Sequence, residues 1–536
     1  MLAKITDDRI TLATSYDERL RVKQLPGARW SRAARRWSIP ATPAYAARVA
    51  EIAEPTDDIA GLAPLLAVNA ARDRRDAKAE LPELTTTPWA HQREAISYLA
   101  GTDVALLDAW MGTGKTKVAL DVISLRGHRR ILVLCPLTVI PVWSRQREIH
   151  GPGWLRVLPL DRGSTGKRAK ALTAAAAGGR PLMVVLNYES CWRAEMARAI
   201  SDIPWDCLIL DESHRIKAPG GRASRFCSGI RAPHRIALTG TPLPHSPLDV
   251  YGQYRALDPG IFGTSFAAFR ARYAVMGGYE GKQVVGYQRE DDLRRRIDSV
   301  RWCIRPEVLD LPPIHVVDVE ITLAPTTQRH YDEMSADFAT DVRGGTVTAA
   351  NALAKLPRLQ QITSGYLPTE DGAQRIGSEK SDALADILTD SAPPTVVFAR
   401  FTADLAEIAA TTDRLGLRYG EISGSRKEIA EFDAGRVDVL GVQIQAGGLG
   451  IDLTRSAHAV YYSLGYSLGD YRQSLARIHR PGQTRHTIVH RLIASSTVDR
   501  TIARALDAKA NVVDAILADI LGDSGSPVVP GQLEEN

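Results

Sequence analysis

Several features that mark extracellular or membrane-bound chains are scarce or missing. There are only five cysteines in 536 residues, Cys135, Cys191, Cys207, Cys227 and Cys303, and none forms a C-x-x-C pair. Disulfide frameworks and cysteine-built metal sites use close spacings, so a reduced, metal-free, cytosolic protein is the default expectation. No stretch approaches the roughly 18 uncharged apolar residues of a membrane span. The start, Met1 to Asp8, lacks an apolar h-region, so no secretory signal is expected. No repeat with a period of 20 to 50 residues is present. A large net charge is also lacking: the balance is +5, with a pI near 8.9. Mildly basic character is compatible with nucleic acid without requiring it. Lysine is scarce, at 13 of the 67 cationic residues. Coding bias in a GC-rich genome explains this, and so does a demand for bidentate arginine–phosphate contacts. What remains is ordinary: 44% hydrophobic and 24% charged residues, a globular composition long enough for roughly two to four domains.

Residues 1–50 read as a small α+β unit. A strand is expected at Ile10–Ala13, a helix from Tyr16 to Leu25, a second strand at Arg35–Pro40 and a helix from Pro43. Residues 51–85 are alanine-rich with mixed charge and read as a helical connector. From Pro88 helical stretches alternate with short β-branched runs. Ile131–Leu134, Leu182–Leu186 and Cys207–Leu210 are apolar throughout, as suits parallel strands covered on both faces. Over 263–313 that rhythm stops, and the segment reads as an irregular or helical link. It resumes with strands expected at Val316–Ile321, Thr395–Phe398, Val437–Val442 and His458–Tyr462. The expected fold class is α/β: two tandem doubly wound parallel-sheet lobes, 86–262 and 314–520, behind a small α+β domain. Residues 521–536 are rich in Gly, Ser and Pro and read as a disordered tail.

Two motifs carry chemistry. Ala109-Trp110-Met111-Gly112-Thr113-Gly114-Lys115-Thr116 lies between an apolar run, Val104 to Leu107, and a helical stretch. It fits the phosphate-loop pattern G-x-x-x-x-G-K-[ST], with Ala109 in place of the first glycine. Glycines let successive backbone N–H groups curl around a phosphate. Lys115 then reaches the β/γ-phosphates of ATP, and the Thr116 hydroxyl holds Mg²⁺. Further on, Cys207-Leu208-Ile209-Leu210 runs into Asp211-Glu212. A strand ending in two acids is where a phosphate-loop NTPase places its metal carboxylate. Asp211 is expected to hold Mg²⁺ and Glu212 to orient and deprotonate the attacking water.

With these residues in place, the chain resembles the superfamily-two helicases, and among them the Swi/Snf-type double-stranded DNA translocases, whose lobes are RecA-like. Pro88-Trp89-Ala90-His91-Gln92 resembles the family's adenine-reading segment, with Gln92 as the base reader. Cys135-Pro136-Leu137-Thr138-Val139 followed by Trp143, and Asn187-Tyr188-Glu189, resemble its DNA-backbone contact segments. Leu238-Thr239-Gly240-Thr241-Pro242 is similar to the motif that couples hydrolysis to lobe movement. In the second lobe, Gln445-Ala446-Gly447-Gly448-Leu449-Gly450-Ile451-Asp452 resembles the glycine loop that approaches DNA and nucleotide. Gln473 to Gln483 resembles the arginine-finger motif, which makes Arg480 and Arg477 the expected γ-phosphate contacts. His245, Gln443 to Gln445 and Pro481 depart from the usual pattern, which puts the fine mechanochemical coupling in question but removes no phosphate- or metal-binding group.

The N-terminal unit is similar to the HARP domain, which accompanies the strand-annealing members of that family. Lys23, Arg29, Arg32, Arg35 and Arg36 are interleaved with Trp30 and Trp37. Such a surface follows a backbone and stacks on bases, while the two tryptophans equally suit a small core. The resemblance implies a monomeric, ATP- and Mg²⁺-dependent motor on DNA, with contacts from Lys23, Arg29, Arg36, Pro136, Thr138, Tyr188, Thr239, Gly447 and Gly448. Its rivals are a strand-separating DNA or RNA helicase, a DNA-binding scaffold, and the motor subunit of a restriction or defence complex. The absence of long inserts points to a bacterial or phage origin.

Overall fold

The protein is described from a computed structural model covering residues 1–7, 9–25, 27–73, 81–240, 246–277, 283–343, 349–369, 372–444 and 451–508. The expected disordered tail therefore lies outside the described residues. The chain folds as two compact units, Met1–Val308 and Leu309–Asn536. Among the described residues no helix is long and apolar enough to cross a membrane.

The first unit begins with an antiparallel sheet of β1 (Leu2–Thr6), β2 (Arg9–Ala13), β3 (Arg29–Ser31) and β4 (Arg36–Pro40), in the order β1-β2-β4-β3. Ile10, Leu12 and Ile39 on one face pack with Tyr45 and Val49 of the helix Pro43–Glu51. That helix starts cleanly, because the Thr42 hydroxyl accepts the Tyr45 N–H and Pro43 occupies the first turn. The helix expected from Tyr16 to Leu25 shrinks to Arg19–Val22. Val22 and Leu25 anchor its end in the small core, but Tyr16 and Leu20 face solvent, so nothing apolar holds the earlier turn.

A parallel seven-stranded sheet follows. Its strands are β5 (Val104–Ala109), β6 (Arg130–Cys135), β7 (Arg156–Pro159), β8 (Leu182–Asn187), β9 (Cys207–Asp211), β10 (His234–Thr239) and, after a hairpin of β11 (Ala274–Gly277) and β12 (Gln283–Tyr287), β13 (Arg301–Ile304). The order is β13-β5-β10-β9-β6-β8-β7. Alternate residues of the apolar runs feed different cores: Leu132 and Leu134 pack on one face, Ile131 and Val133 on the other. This two-sided burial is why these strands lack polar alternation. β13 corrects the reading of 263–313 as a link. Its apolar stretch is only three residues, Trp302-Cys303-Ile304. Ile304 enters the core with Trp302 packed against it, and the strand is further held beside β5 by ladder pairing and an ion pair between Arg301 and Asp108.

The second unit is built on a parallel sheet of β14 (Ile314–Ile321), β17 (Thr395–Ala399), β18 (Tyr419–Ile422), β19 (Val439–Gln443), β20 (His458–Tyr461) and β21 (Thr487–Ala494), ordered β14-β21-β20-β17-β19-β18. A hairpin of β15 (Tyr366–Thr369) and β16 (Gly372–Arg375) projects from it. Apolar clusters again line both faces. The sequence patterning did not mark β18 or β21. β21 carries His490 and Arg491 amid its apolar residues, and Arg491 is held by Asp318 and Asp507. Two doubly wound parallel-sheet lobes and a small α+β unit ahead of them are thus the architecture of the chain.

Candidate active site

Ligands of open parallel sheets sit at the carboxyl ends of the strands. Here β5, β10 and β9 end side by side, with Thr239 opposite Asp108 and Leu238 opposite Asp211. The loop 110–114 leaves β5 at this edge and enters the helix Lys115–Arg126. Gly112 and Gly114 adopt φ of 83° and 90°, backbone that side-chain-bearing residues rarely take. Ala109 is still the last residue of β5, in extended backbone, which explains why this position dispenses with glycine.

The loop is braced from within. The Thr113 hydroxyl donates to the Trp110 carbonyl at 2.7 Å. Gln92 is 2% exposed; its amide donates to the Thr113 carbonyl at 3.0 Å and its Oε1 accepts the Trp89 N–H at 3.0 Å. A Cβ on Gly114 would fall 2.3 Å from Gln92 Nε2. The residue expected to read adenine thus sits as a strut beneath the phosphate loop. A second brace escaped the sequence reading. The Lys117 ammonium is buried, paired with Asp121 at 2.7 Å, and donates to the Thr86 carbonyl at 3.0 Å. It ties the incoming segment to the loop's helix.

Lys115 donates from Nζ to the Ala109 carbonyl at 2.8 Å. Met111 and Gly240 lie close by: a Cβ on Gly240 would meet the Ala109 carbonyl at 3.2 Å, Lys115 Nζ at 3.6 Å and Met111 at 3.7 Å. The exit of β10 therefore passes directly beside the lysine. Thr116 is half-buried in the first turn of the helix, where unpaired backbone N–H groups favour anions. Residues 241–245, including Thr241, Pro242 and His245, lie outside the described residues.

Asp211 ends β9 and is held on both oxygens. Oδ2 accepts the Trp143 indole N–H at 2.8 Å, and Oδ1 accepts the Glu212 N–H at 3.0 Å. Burial, and then the adjacent Glu212 charge, push its carboxyl up to about 6 against the pull of Trp143 and Lys115. Glu212 follows with φ of 50°, a left-handed conformation that costs a non-glycine residue about 1–2 kcal/mol and is typical of strained functional positions. Its carboxylate lies 3.4 Å from His214 Nδ1, which is also 3.4 Å from the Thr239 hydroxyl.

The residues expected on DNA divide by burial. Thr138 and its neighbour Leu137 are exposed, whereas Pro136 is buried. Tyr188 and Thr239 are interior side chains, and the Tyr188 hydroxyl donates to the Asp211 carbonyl at 2.8 Å. These positions support the acidic strand end. Lys23, Arg29 and Arg36 are exposed. Trp30 and Trp37 face each other across β3 and β4 with ring centroids 5.5 Å apart. Trp37 leans on the small core, while Trp30 is 46% exposed.

The family model for the SNF2-related domain matches residues 70–362, more than half of the chain. The chain belongs to the SNF2-related family. The model of the helicase conserved C-terminal domain matches residues 379–482, which makes this a helicase-type ATPase of that family. A protein of a phage of an Acyrthosiphon pisum secondary endosymbiont, putative protein p41, is 25% identical over 81% of this chain and 98% of its own length. The chromodomain-helicase-DNA-binding protein 1-like of Danio rerio is 23% identical over 82% of this chain and 46% of its own. For the putative ATP-dependent helicase/translocase YwqA of Bacillus subtilis the figures are 24%, 72% and 43%. The SNF2-related chain thus spans nearly all of the phage relative and under half of the other two. Among solved structures, the Sulfolobus solfataricus SWI2/SNF2 ATPase core in complex with dsDNA aligns over 83% of this chain and 96% of that one, at 22% identity and a TM-score of 0.40.

In the second unit of this SNF2-related chain, Gly447, Gly448 and Gly450 lie outside the described residues. Asp452 is exposed and caps its own turn, accepting from the Thr454 N–H at 3.0 Å and hydroxyl at 2.7 Å. Arg477 lies near the end of the helix Leu468–Ile478 and Arg480 in the turn after it, both half-buried. The turn is fixed by Gly482, at φ 107°, and by Gln483, a residue the motif reading gave no task. Gln483 is 5% exposed; its amide donates to the Ser456 carbonyl at 2.7 Å and the Thr454 carbonyl at 3.1 Å. The glutamine that closes the motif clips the arginine-bearing turn to the segment entering β20.

Proposed function

We propose that this SNF2-related chain is an ATP- and Mg²⁺-dependent motor that tracks along duplex DNA and remodels or reanneals forked DNA. The observation that carries the reading is the convergence of Lys115, Asp211 and Glu212 at adjoining strand ends, on a loop that two positive-φ glycines bend for a phosphate.

Each residue has a task that its surroundings support. Backbone N–H groups of 112–116 receive the phosphates, and Lys115 balances their charge. The donor set fits magnesium: the Asp211 carboxylate, kept in place by Trp143, and the Thr116 hydroxyl are hard oxygen ligands. When bound, magnesium neutralises charge on the phosphate oxygens. Glu212 orients a water and accepts its proton. Arg477 and Arg480 of the second unit are assigned to the charge that grows as the γ-phosphoryl leaves, a contribution worth roughly 10³–10⁵ in rate in related NTPases. Gln92 acts on nucleotide through the loop it braces.

DNA is engaged through its backbone, so binding is sequence-tolerant and salt-sensitive. On the HARP-like N-terminal unit, Lys23, Arg29 and Arg36 supply the cations, and exposed Trp30 a stacking face. Thr138 is the surface contact of the first lobe. The deciding experiment is the ATPase rate at low salt with no nucleic acid, duplex, forked DNA, single-stranded DNA and single-stranded RNA. Duplex or forked DNA should stimulate most. Stimulation by single strands alone would make the chain an unwinding helicase, and no hydrolysis with any of them would make it a scaffold.

A further inference from the structure

The sheet edge opposite the phosphate loop carries a second cluster. Cys207 is the first residue of β9 and His234 the first of β10, and the parallel register sets them directly opposite. His128 joins them from the turn between the helix Lys115–Arg126 and β6. One donor atom from each of the three lies within 4.8 Å of the others. His128 Nε2 and His234 Nδ1 face each other at 2.8 Å, with ring centroids 5.0 Å apart. Cys207 and His234 are almost fully buried, and His128 is half-exposed, which leaves one side open to solvent.

We propose that His128, Cys207 and His234 form a binding site for a thiophilic divalent cation of the zinc class. Two imidazoles and one thiolate are a donor set that zinc prefers, with water as the fourth ligand. Bond lengths of about 2.0–2.3 Å put tetrahedral donors roughly 3.3–3.7 Å apart. The facing imidazoles must therefore part by roughly half an ångström while the thiol closes in, a movement the half-exposed His128 ring can supply. The His234 Nδ1 that faces His128 is the ring atom placed to ligate, and the Leu99 backbone lies against the same ring. Of the charged neighbours, Arg126 opposes a cation and Asp206 favours one. The Asp206 carboxylate is already oriented by the N–H groups of Arg129 and Arg130 at 2.7 and 2.8 Å. As the metal–sulfur bond forms, the Cys207 thiol proton leaves to solvent, and the proton between the imidazoles moves to a nitrogen that is not a ligand.

The three ligands belong to the turn after the phosphate-loop helix and to the strands that end in Asp211 and Thr239. A bound ion would therefore staple the far side of the ATP-binding lobe. Sequence spacing hid the site, because its donors are 79 and 27 positions apart and no C-x-x-C pair flags them.

The test uses the full-length protein, stripped with chelator and titrated with Co²⁺ and then Zn²⁺. A thiolate-to-cobalt charge-transfer absorption saturating at one equivalent, erased by Zn²⁺, is expected, together with a rise in unfolding temperature on adding Zn²⁺. Cys207→Ser and His128→Ala should lose the absorption and the temperature rise, and Cys303→Ser, altering the exposed thiol, should keep both. Cobalt on the oxygen ligands of the nucleotide site gives no thiolate band. Absence of the band in the unmutated protein, its survival in a folded Cys207→Ser or His128→Ala variant, or its loss in Cys303→Ser would overturn the assignment.

Discussion

The indole N–H of Trp143, a fully buried side chain, donates to Asp211 Oδ2 across 2.8 Å. It fixes one oxygen of the carboxylate assigned to magnesium, while the other is fixed by the Glu212 N–H. A metal ligand is oriented by what its remaining atoms touch, and such partners typically change metal affinity or activity by about 10–100-fold. Trp143→Phe, which keeps the ring and removes the donor, should raise the Mg²⁺ concentration needed for half-maximal ATPase by about that factor. Mg²⁺ titration of the variant checks it, and an unchanged midpoint would make Trp143 a packing residue only.

Lys380 and Asp499 form a second internal pair, at 2.6 Å with side chains 1% and 3% exposed. It joins the helices Glu379–Asp390 and Val498–Asp507 of the second unit. Removing one member leaves a buried charge without compensation. Asp499→Ala should cost about 3–5 kcal/mol, read by denaturant unfolding. Replacing both members with apolar residues should cost less.

Acid should weaken the second unit. Burial lowers the imidazole pKa of His458 and of His490, helped by Arg485 and by His458 respectively. The unfolded chain takes up these protons near pH 6.5, the folded chain only below that. Stability is therefore full above about pH 6.5 and falls as the pH drops beneath it. Unfolding midpoints at pH 7.5 and 5 test this, and His490→Gln should flatten the fall.

Arg29→Ala combined with Arg36→Ala should weaken DNA binding equally for all sequences and reduce the salt dependence of log K by about one per lost phosphate contact. Both side chains are exposed, so the unfolding midpoint should stay put. An unchanged salt slope would remove the N-terminal sheet from the DNA interface.

Contiguous chemistry was legible in the sequence. The phosphate loop, the Asp211-Glu212 strand end and the apolar strands each occupy one short stretch, and their residue types have few other uses. What escaped is non-local. Trp143 and Asp211 belong to different elements, and so do Lys380 and Asp499; nothing in either segment names its partner. Gln92 and Gln483 stand in recognisable motifs, but their buried amides act on backbone carbonyls that only the fold brings near. β13 is hard to read because its apolar stretch, Trp302-Cys303-Ile304, is only three residues long and its place beside β5 is set by distant partners. Tyr188 looked like a surface contact because burial cannot be read from a motif.

Displacement of a third strand from a triplex reports movement along duplex DNA without requiring strand separation. The protein should strip the third strand from a triplex embedded in duplex DNA only with hydrolysable ATP and Mg²⁺, and Glu212→Gln should bind ATP yet displace nothing. DNA-stimulated hydrolysis without displacement, or displacement by Glu212→Gln, would contradict the motor reading.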